Sequence, residues 1–263
     1  MKLPVNSMKW VSAEMKIAVD LHIHTTLSPC ADEHMTPNNV VNMAILKGLD
    51  VISITDHNAC NNVIAVTRAA SARLLVLPGM ELQTREEVHL LCYFPSLEAL
   101  LDFDMLVRKH MTNMRNVVKM PGSQHIMNEV DIIIGERTEP LIASIDVTLE
   151  RAIQEVRLRG GVPVPAHIDR TAYGIISQLG FIPIESNFTS FELSRKIWSD
   201  LNKAGRNISE YLGSYVQKHL SGIFLYSSDA HRLDEILERE MFLEVEELSI
   251  SAIMRKLNND RFF

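Results

Sequence analysis

The sequence predicts an α/β fold built on a mainly parallel sheet, open or closed into a barrel. Two observations predict it. Short β-type runs alternate with helical stretches along most of the chain, and strands alternating with helices pair in parallel through crossover connections. Most of those runs also end in His, Asp or Glu, and the carboxyl ends of strands are where α/β folds build their sites. The chain has 263 residues and is 46% hydrophobic, enough to bury a sizeable core.

The expected strands are KIAVDLH (16–22), DVISIT (50–55), RLLVLPG (73–79), EVHLLCYF (87–94), GVPVPAH (161–167), FTSFELS (188–194) and GIFLYSSD (222–229). Helical patterns lie at 37–47, 59–71, 148–159, 207–220 and 249–258. The first is entered through TPNN, with Thr36 as N-cap and Pro37 at the first helical position, where a missing N–H costs nothing. Residues 95–147 break the rhythm with weak helix and short strand signals. They read as an inserted segment within a single domain over 15–263, preceded by an extension over 1–14.

Composition narrows the function. A formal charge of −7 and no basic stripe weigh against tight duplex nucleic-acid binding. Cys30, Cys60 and Cys92 are odd in number and lack a C-x-x-C spacing, which fits a reducing cytoplasm rather than a disulfide framework. No run approaches the roughly 18 apolar residues that span a bilayer, and the start has no apolar signal-peptide core.

The stretch DLHIHTTLSPCADEH, Asp20 to His34, is the densest in metal-type ligands. Alternation along a strand puts Asp20, His22 and His24 on one face and Val19, Leu21 and Ile23 on the other. Two imidazoles about 6–7 Å apart along a strand can converge on one cation. Alone, H-x-H reads equally well as two unrelated polar positions. The other strand ends change that: VISITDHN reaches Asp56 and His57, LLVLPGMEL reaches Glu81, EVHLL holds His89, VPVPAHIDR ends at His167, and FLYSSDAHR supplies Asp229 and His231. Ligand types gathered at one end of a sheet predict a site for several metals.

Together, DLHIHTTLSPCAD, TDHN, PGMEL, PAHIDR and SSDAH resemble the PHP (polymerase and histidinol phosphatase) family, in the family's order, from about Lys16 to the C-terminus. The resemblance implies a distorted (β/α)7 TIM-like barrel carrying two or three divalent ions (Zn, Mn or Fe) and hydrolysing a phosphoester of a small phosphorylated substrate. It implies one metal on His22, His24, Glu81 and Asp229, and a second on His57, His231 and a loop residue. A third would be held by His89 and His167 with Glu81 as bridge. Glu81, Asp229 and His231 then stand at the reacting centre, with the leaving-group proton coming from His231 or from water. The family's loop ligand is an Asp five residues, or a His six residues, after the second histidine. Here those places hold Pro29 and Cys30. Asp32 is favoured over Cys30 or His34, because a hard hydrolytic metal prefers oxygen. Ile168 replaces a more usual proline.

Other polar residues have plainer roles. Asp20 and Asp56 are expected to orient ligand imidazoles by hydrogen bonds, and Glu192, in FELS, to support the site rather than ligate. His110, His125 and His219 match no motif. Arg170 either grips a substrate phosphate or pairs with a neighbour such as Asp169. Two other readings stay open: a nuclease on short or single-stranded nucleic acid, which would need an aromatic or basic track in a chain only 6% aromatic, and a non-catalytic metal-binding module.

Overall fold

The computed structural model describes residues 14–111, 122–205, 208–212 and 222–259. Most of the N-terminal extension, His219 and much of the 207–220 helix lie outside them. The strands are β1 (Met15–Ile23), β2 (Val51–Ile54), β3 (Leu75–Gln83), β4 (His89–Tyr93), β5 (His125–Met127), β6 (Ile133–Glu136), β7 (Val162–Pro165), β8 (Ser190–Leu193), β9 (Ile223–Tyr226) and β10 (Phe242–Val245). The helices are α1 (Pro37–Leu46), α2 (Val63–Ala70), α3 (Leu97–Met111), α4 (Leu149–Leu158), α5 (Ile175–Leu179), α6 (Arg195–Ala204), α7 (Ile208–Leu212) and α8 (Ile250–Leu257).

Helix starts follow local chemistry. Thr36 caps α1 through Asn39 N–H, Thr148 caps α4 through Arg151 N–H, and Ser249 caps α8 through Ala252 N–H, each satisfying a donor with no partner inside the helix. β2 is the unbroken apolar run VISI, buried throughout, because both faces of the sheet are covered. Gly79 is required where β3 meets β2, since a Cβ there would lie 2.4 Å from Ser53 Oγ.

Six strands pair in the order β10-β1-β2-β3-β4-β7, while β8 and β9 form a parallel pair and β5 and β6 a hairpin. The six-stranded sheet is mixed rather than mainly parallel. β1–β2 and β2–β3 are parallel, whereas β1–β10, β3–β4 and β4–β7 are antiparallel. Between β3 and β4 the chain has room for a tight turn only, too short for a parallel crossover. This matters for the site. The start of antiparallel β4, His89, and the end of β7 both arrive beside the carboxyl ends of β1 to β3.

The sheet curls. Ile17, Val19, Leu21, Val51, Leu77, Leu91, Tyr93, Val162, Val164, Leu225 and Leu243 share one inner core closed below by α8. Tyr93 Oη crosses it to donate to Leu21 O at 2.9 Å. A second core packs the helices on the outer face. The β8–β9 pair meets the larger sheet through one backbone bond beside β8, Ile168 N–H to Glu192 O at 2.9 Å, and an isolated parallel bridge beyond β9, where His24 N–H donates to Ala230 O at 3.0 Å and Ala230 N–H to His22 O at 3.3 Å. Among the described residues no ladder joins the two, and the six strands form a curled half-barrel with the two-stranded strip beside it. Pro163 and Pro165 have no N–H to give β8, which removes rungs from that edge. Within 95–147, α3 buries Leu100, Phe103, Val107 and Met111 in the outer core. Among the described residues no helix is long and apolar enough to cross a membrane.

Candidate metal centre

The β1–β2 ladder shifts register between Asp20 and Ile23, so simple alternation fails there. Val19 and Leu21 keep to the inner core, while His22 and His24 both reach the centre. Asp20 does not orient an imidazole. Its carboxylate accepts Ser228 N–H at 3.0 Å and Leu237 N–H at 2.9 Å and so pins the loop that carries Asp229. His167 (φ 27°) and Asp229 (φ 51°) both adopt the left-handed region, a strained conformation that the surrounding structure must enforce.

Glu81, buried at the end of β3, is the hub. Its oxygens lie 3.3 Å from His22 Nε2, 3.3 Å from His24 Nε2, 3.0 Å from His57 Nδ1, 2.8 Å from His89 Nδ1 and 3.3 Å from His167 Nε2. Asp229 Oδ1 lies 3.2 Å from His22 Nε2 and 3.1 Å from His24 Nε2. Despite these distances, His57 Nδ1, His89 Nδ1 and Glu81 Oε2 have no hydrogen-bond partner. Buried polar atoms so placed need an explanation, and donors aimed at a shared cation give one. Three donor groups lie within 4.8 Å internally: His22, His24, Glu81 and Asp229; His24, His57 and His231; and His57, Glu81 and His89.

The outward ring nitrogens of His22, His24, His89 and His231 are tied down, which fixes their tautomers for metal binding, whereas His167 Nδ1 is buried without a partner. His22 Nδ1 faces Glu192 at 3.1 Å, and the same carboxylate accepts His167 N–H at 3.0 Å. His24 Nδ1 donates to Ser28 Oγ at 2.9 Å, which in turn donates to Asp56 at 2.7 Å. Asp56 thus acts on His24 through Ser28. His89 Nε2 meets Gln83 Oε1 at 3.3 Å, and His231 Nδ1 donates to Asp229 O at 2.9 Å. Ser28 and Gln83 escaped the sequence reading because nothing distinguishes them from ordinary polar residues except their nearness to the motifs.

Charge is balanced internally. Burial works to raise the Glu81 carboxyl, but the imidazoles of His89, His22 and His57 hold it well below the usual carboxylate range. Burial opposes protonation of His24, yet its bonds to Asp229 and Glu81 raise it to about 9. His22 is likewise raised against burial by Asp229, Glu192 and Glu81. Burial, aided by His24, pushes His57 down to about 4 despite Glu81, and His231 down to about 3.

Three expectations change. Asp32 is not brought into any donor group: its carboxylate accepts His34 N–H at 2.9 Å, and His34 is exposed. Cys30 also lies outside the donor groups, but its Sγ comes within 3.1 Å of His231 Nε2, and burial raises its thiol to about 12. Arg170 pairs with Asp229 at 2.5 Å rather than with Asp169, whose carboxylate caps Ser194. His110 and His125 lie outside the donor groups. Replacing Glu192 with Gln is expected to free His22 and the His167 backbone together and to weaken metal binding about 10–100-fold, read by competition with a chromophoric chelator.

The PHP domain family profile matches residues 20–147. No curated protein gives a significant match. Among solved structures, the lesion-specific endonuclease EndoQ of Pyrococcus furiosus shares the fold at TM-score 0.64 and 19% identity, over 93% of this chain and 56% of that one. The chain therefore spans little more than half of that endonuclease. A putative metal-dependent phosphoesterase from Bifidobacterium adolescentis matches at TM-score 0.51 and 16% identity, over 91% and 94% of the two chains. An amidohydrolase from Chromobacterium violaceum matches at 0.52 and 17%, over 92% and 96%. The matched segment spans just under half of the chain and carries His22, His24, His57, Glu81 and His89, and His167, Asp229 and His231 meet these donors at one end of the sheet, so this segment resembles the PHP domain family.

Proposed function

We propose that the protein is a metal-dependent hydrolase that cleaves a phosphoester, with a phosphomonoester as its substrate. The observation that supports it most is the Glu81 carboxylate facing five imidazoles, with buried ring nitrogens left unpartnered around it. The donors fit two or three divalent ions: one on His22, His24, Glu81 and Asp229, another on His57 and His231 with His24 between them, and a third on Glu81 and His89, where the structure groups His57 with them and brings His167, outside every donor group, to 3.3 Å from Glu81. Bound there, such ions would supply Lewis acidity and a water acidified towards neutral pH.

The chain's own groups do the rest. Glu192, Ser28 and Gln83 hold the imidazoles in register, so the donors need no reorganisation during reaction. His231 gives its Nδ1 proton to Asp229 O and is held neutral, so Nε2 has no proton for a leaving group and water is the proton source. The Arg170 guanidinium, 42% exposed beside Asp229, has N–H groups free to take a phosphate oxygen at the mouth.

Elemental analysis followed by turnover assays on phosphomonoesters and short oligonucleotides tests this reading. Metal-dependent monoester hydrolysis supports it. Cleavage of oligonucleotides alone points to the nuclease reading, and bound metal without turnover points to a non-catalytic module.

His167→Ala and Arg170→Ala should separate the two roles. His167→Ala is expected to lower metal content and to reduce kcat about 100-fold or more. Arg170→Ala should keep metal content and mainly raise KM, as loss of uniform binding does. Metal content per chain beside steady-state kinetics checks both. An unchanged KM would leave Arg170 as a partner of Asp229 only.

A further inference from the structure

We infer that Cys30 is a thiolate ligand to the cation held by His24, His57 and His231, which makes that position selective for a soft divalent metal such as zinc or iron(II). The inference rests on the metal-dependent reading above. The thiol would lose its proton to solvent as the sulfur lone pair binds the cation, with no change of oxidation state.

Three observations carry it. Cys30 Sγ lies 3.1 Å from His231 Nε2, the ring nitrogen left over once Nδ1 has bonded Asp229 O. A sulfur and a nitrogen bound to one tetrahedral zinc at about 2.3 and 2.0–2.1 Å sit about 3.6 Å apart, so the pair has to open by only about 0.5 Å to become co-ligands. Second, His57 belongs to the same donor group, is only 6% exposed, and has an Nδ1 without a hydrogen-bond partner. Three imidazoles from three separate loops leave one position of a tetrahedral site open.

Third, the loop offers nothing else there. Asp32 gives its N–H to His231 O at 2.8 Å and its carboxylate to His34 N–H. These two bonds hold the turn so that Cys30, not Asp32, faces His231. Cys60 and Cys92 are buried elsewhere in the outer core. One soft sulfur among imidazoles moves preference away from magnesium and manganese and towards zinc or iron.

The test uses cobalt(II) as a spectroscopic probe in the full chain. Cobalt loading of the parent is expected to give a thiolate-to-metal charge-transfer band in the near ultraviolet, absent from Cys30→Ser. That variant should bind its weakest ion about 100-fold less tightly or worse, since losing a direct donor exceeds the 10–100-fold cost of losing its supports. Cys30→Asp should regain stoichiometry but favour manganese over zinc.

Thiol alkylation of the parent gives a reading independent of any variant's folding. Cys30 is the exposed one of the three thiols, and burial raises it to about 12, so with chelator it should react slowly with iodoacetamide, faster at alkaline pH, and be protected by zinc. Full metal loading with no thiolate band, or alkylation at the same rate with and without zinc, would overturn the inference. A parent protein that binds no metal would overturn the hydrolase reading and this one with it, and zero stoichiometry identifies that case.

Discussion

Glu81→Gln is expected to lower kcat by roughly 10²–10³-fold or more, the loss seen when a main electrostatic element of a reacting centre is removed. It should also take the metal content below that of the parent. The substitution keeps shape and removes charge. In the parent one carboxylate meets imidazoles from β1, β4 and the loops after β2 and β7, and it is held ionised against its burial. A neutral amide would present an NH2 group to nitrogens that are themselves meant to bind cations. Without metal the variant should still suffer, because protonated His22 and His24 lose one of the anions that balance them. Breaking a buried pair costs about 3–5 kcal/mol. Metal per chain, steady-state rates and a melting curve read the three effects. A variant with full metal and a rate within tenfold of the parent would remove Glu81 from the hub.

The residues of that hub were legible because their spacing is covalent. H-x-H, D-H and D-A-H at strand ends bring their ligands whichever way the strands curl. What failed depended on three-dimensional detail. The register shift after Asp20 separates that residue from the histidines, and strand periodicity cannot foresee a shift. Asp32 was preferred to Cys30 on donor hardness, but the direction of each side chain is set by backbone bonds in the turn, which composition does not encode. β10 was missed because FLEV is four residues long with one of them exposed. α3 lies within the 95–147 segment, and its Leu100, Phe103, Val107 and Met111 fall at the spacing of one buried helical face. The antiparallel β4 was the costliest miss, since it explains why a residue that begins a strand, His89, joins residues that end others.

Removing the metals is expected to abolish activity and to lower the melting temperature by an amount that grows as pH rises from about 6.5 to 9. The sign follows from the imidazoles. In the metal-free protein His24 is raised from 6.5 to about 9, and His22 well above 6.5, by their carboxylate partners. A raised pKa stabilises the folded state fully below the unfolded value, and that stability is lost as pH climbs through the folded value. Each pH unit in the window removes about 1.4 kcal/mol per such group, so His24 alone accounts for on the order of 3 kcal/mol. His57 and His231, pushed down to about 4 and about 3, are neutral throughout the window and add no slope there. The depressed carboxyls of Glu81 and Asp229 contribute stability above the unfolded carboxylate range and lose it only on acidification, also outside the window. In the loaded protein His22 and His24 are neutral ligands. Metal must displace their protons to bind, and it does so more easily as pH rises. The two stability curves therefore diverge with pH. Melting curves with and without chelator at pH 6.0 and 8.5 measure the gap, and at roughly 2–4 °C per kcal/mol for a chain near this size the widening is several degrees. A gap that stays constant or narrows would mean that His22 and His24 are not held protonated by Glu81, Asp229 and Glu192, and that some other feature stabilises the empty centre.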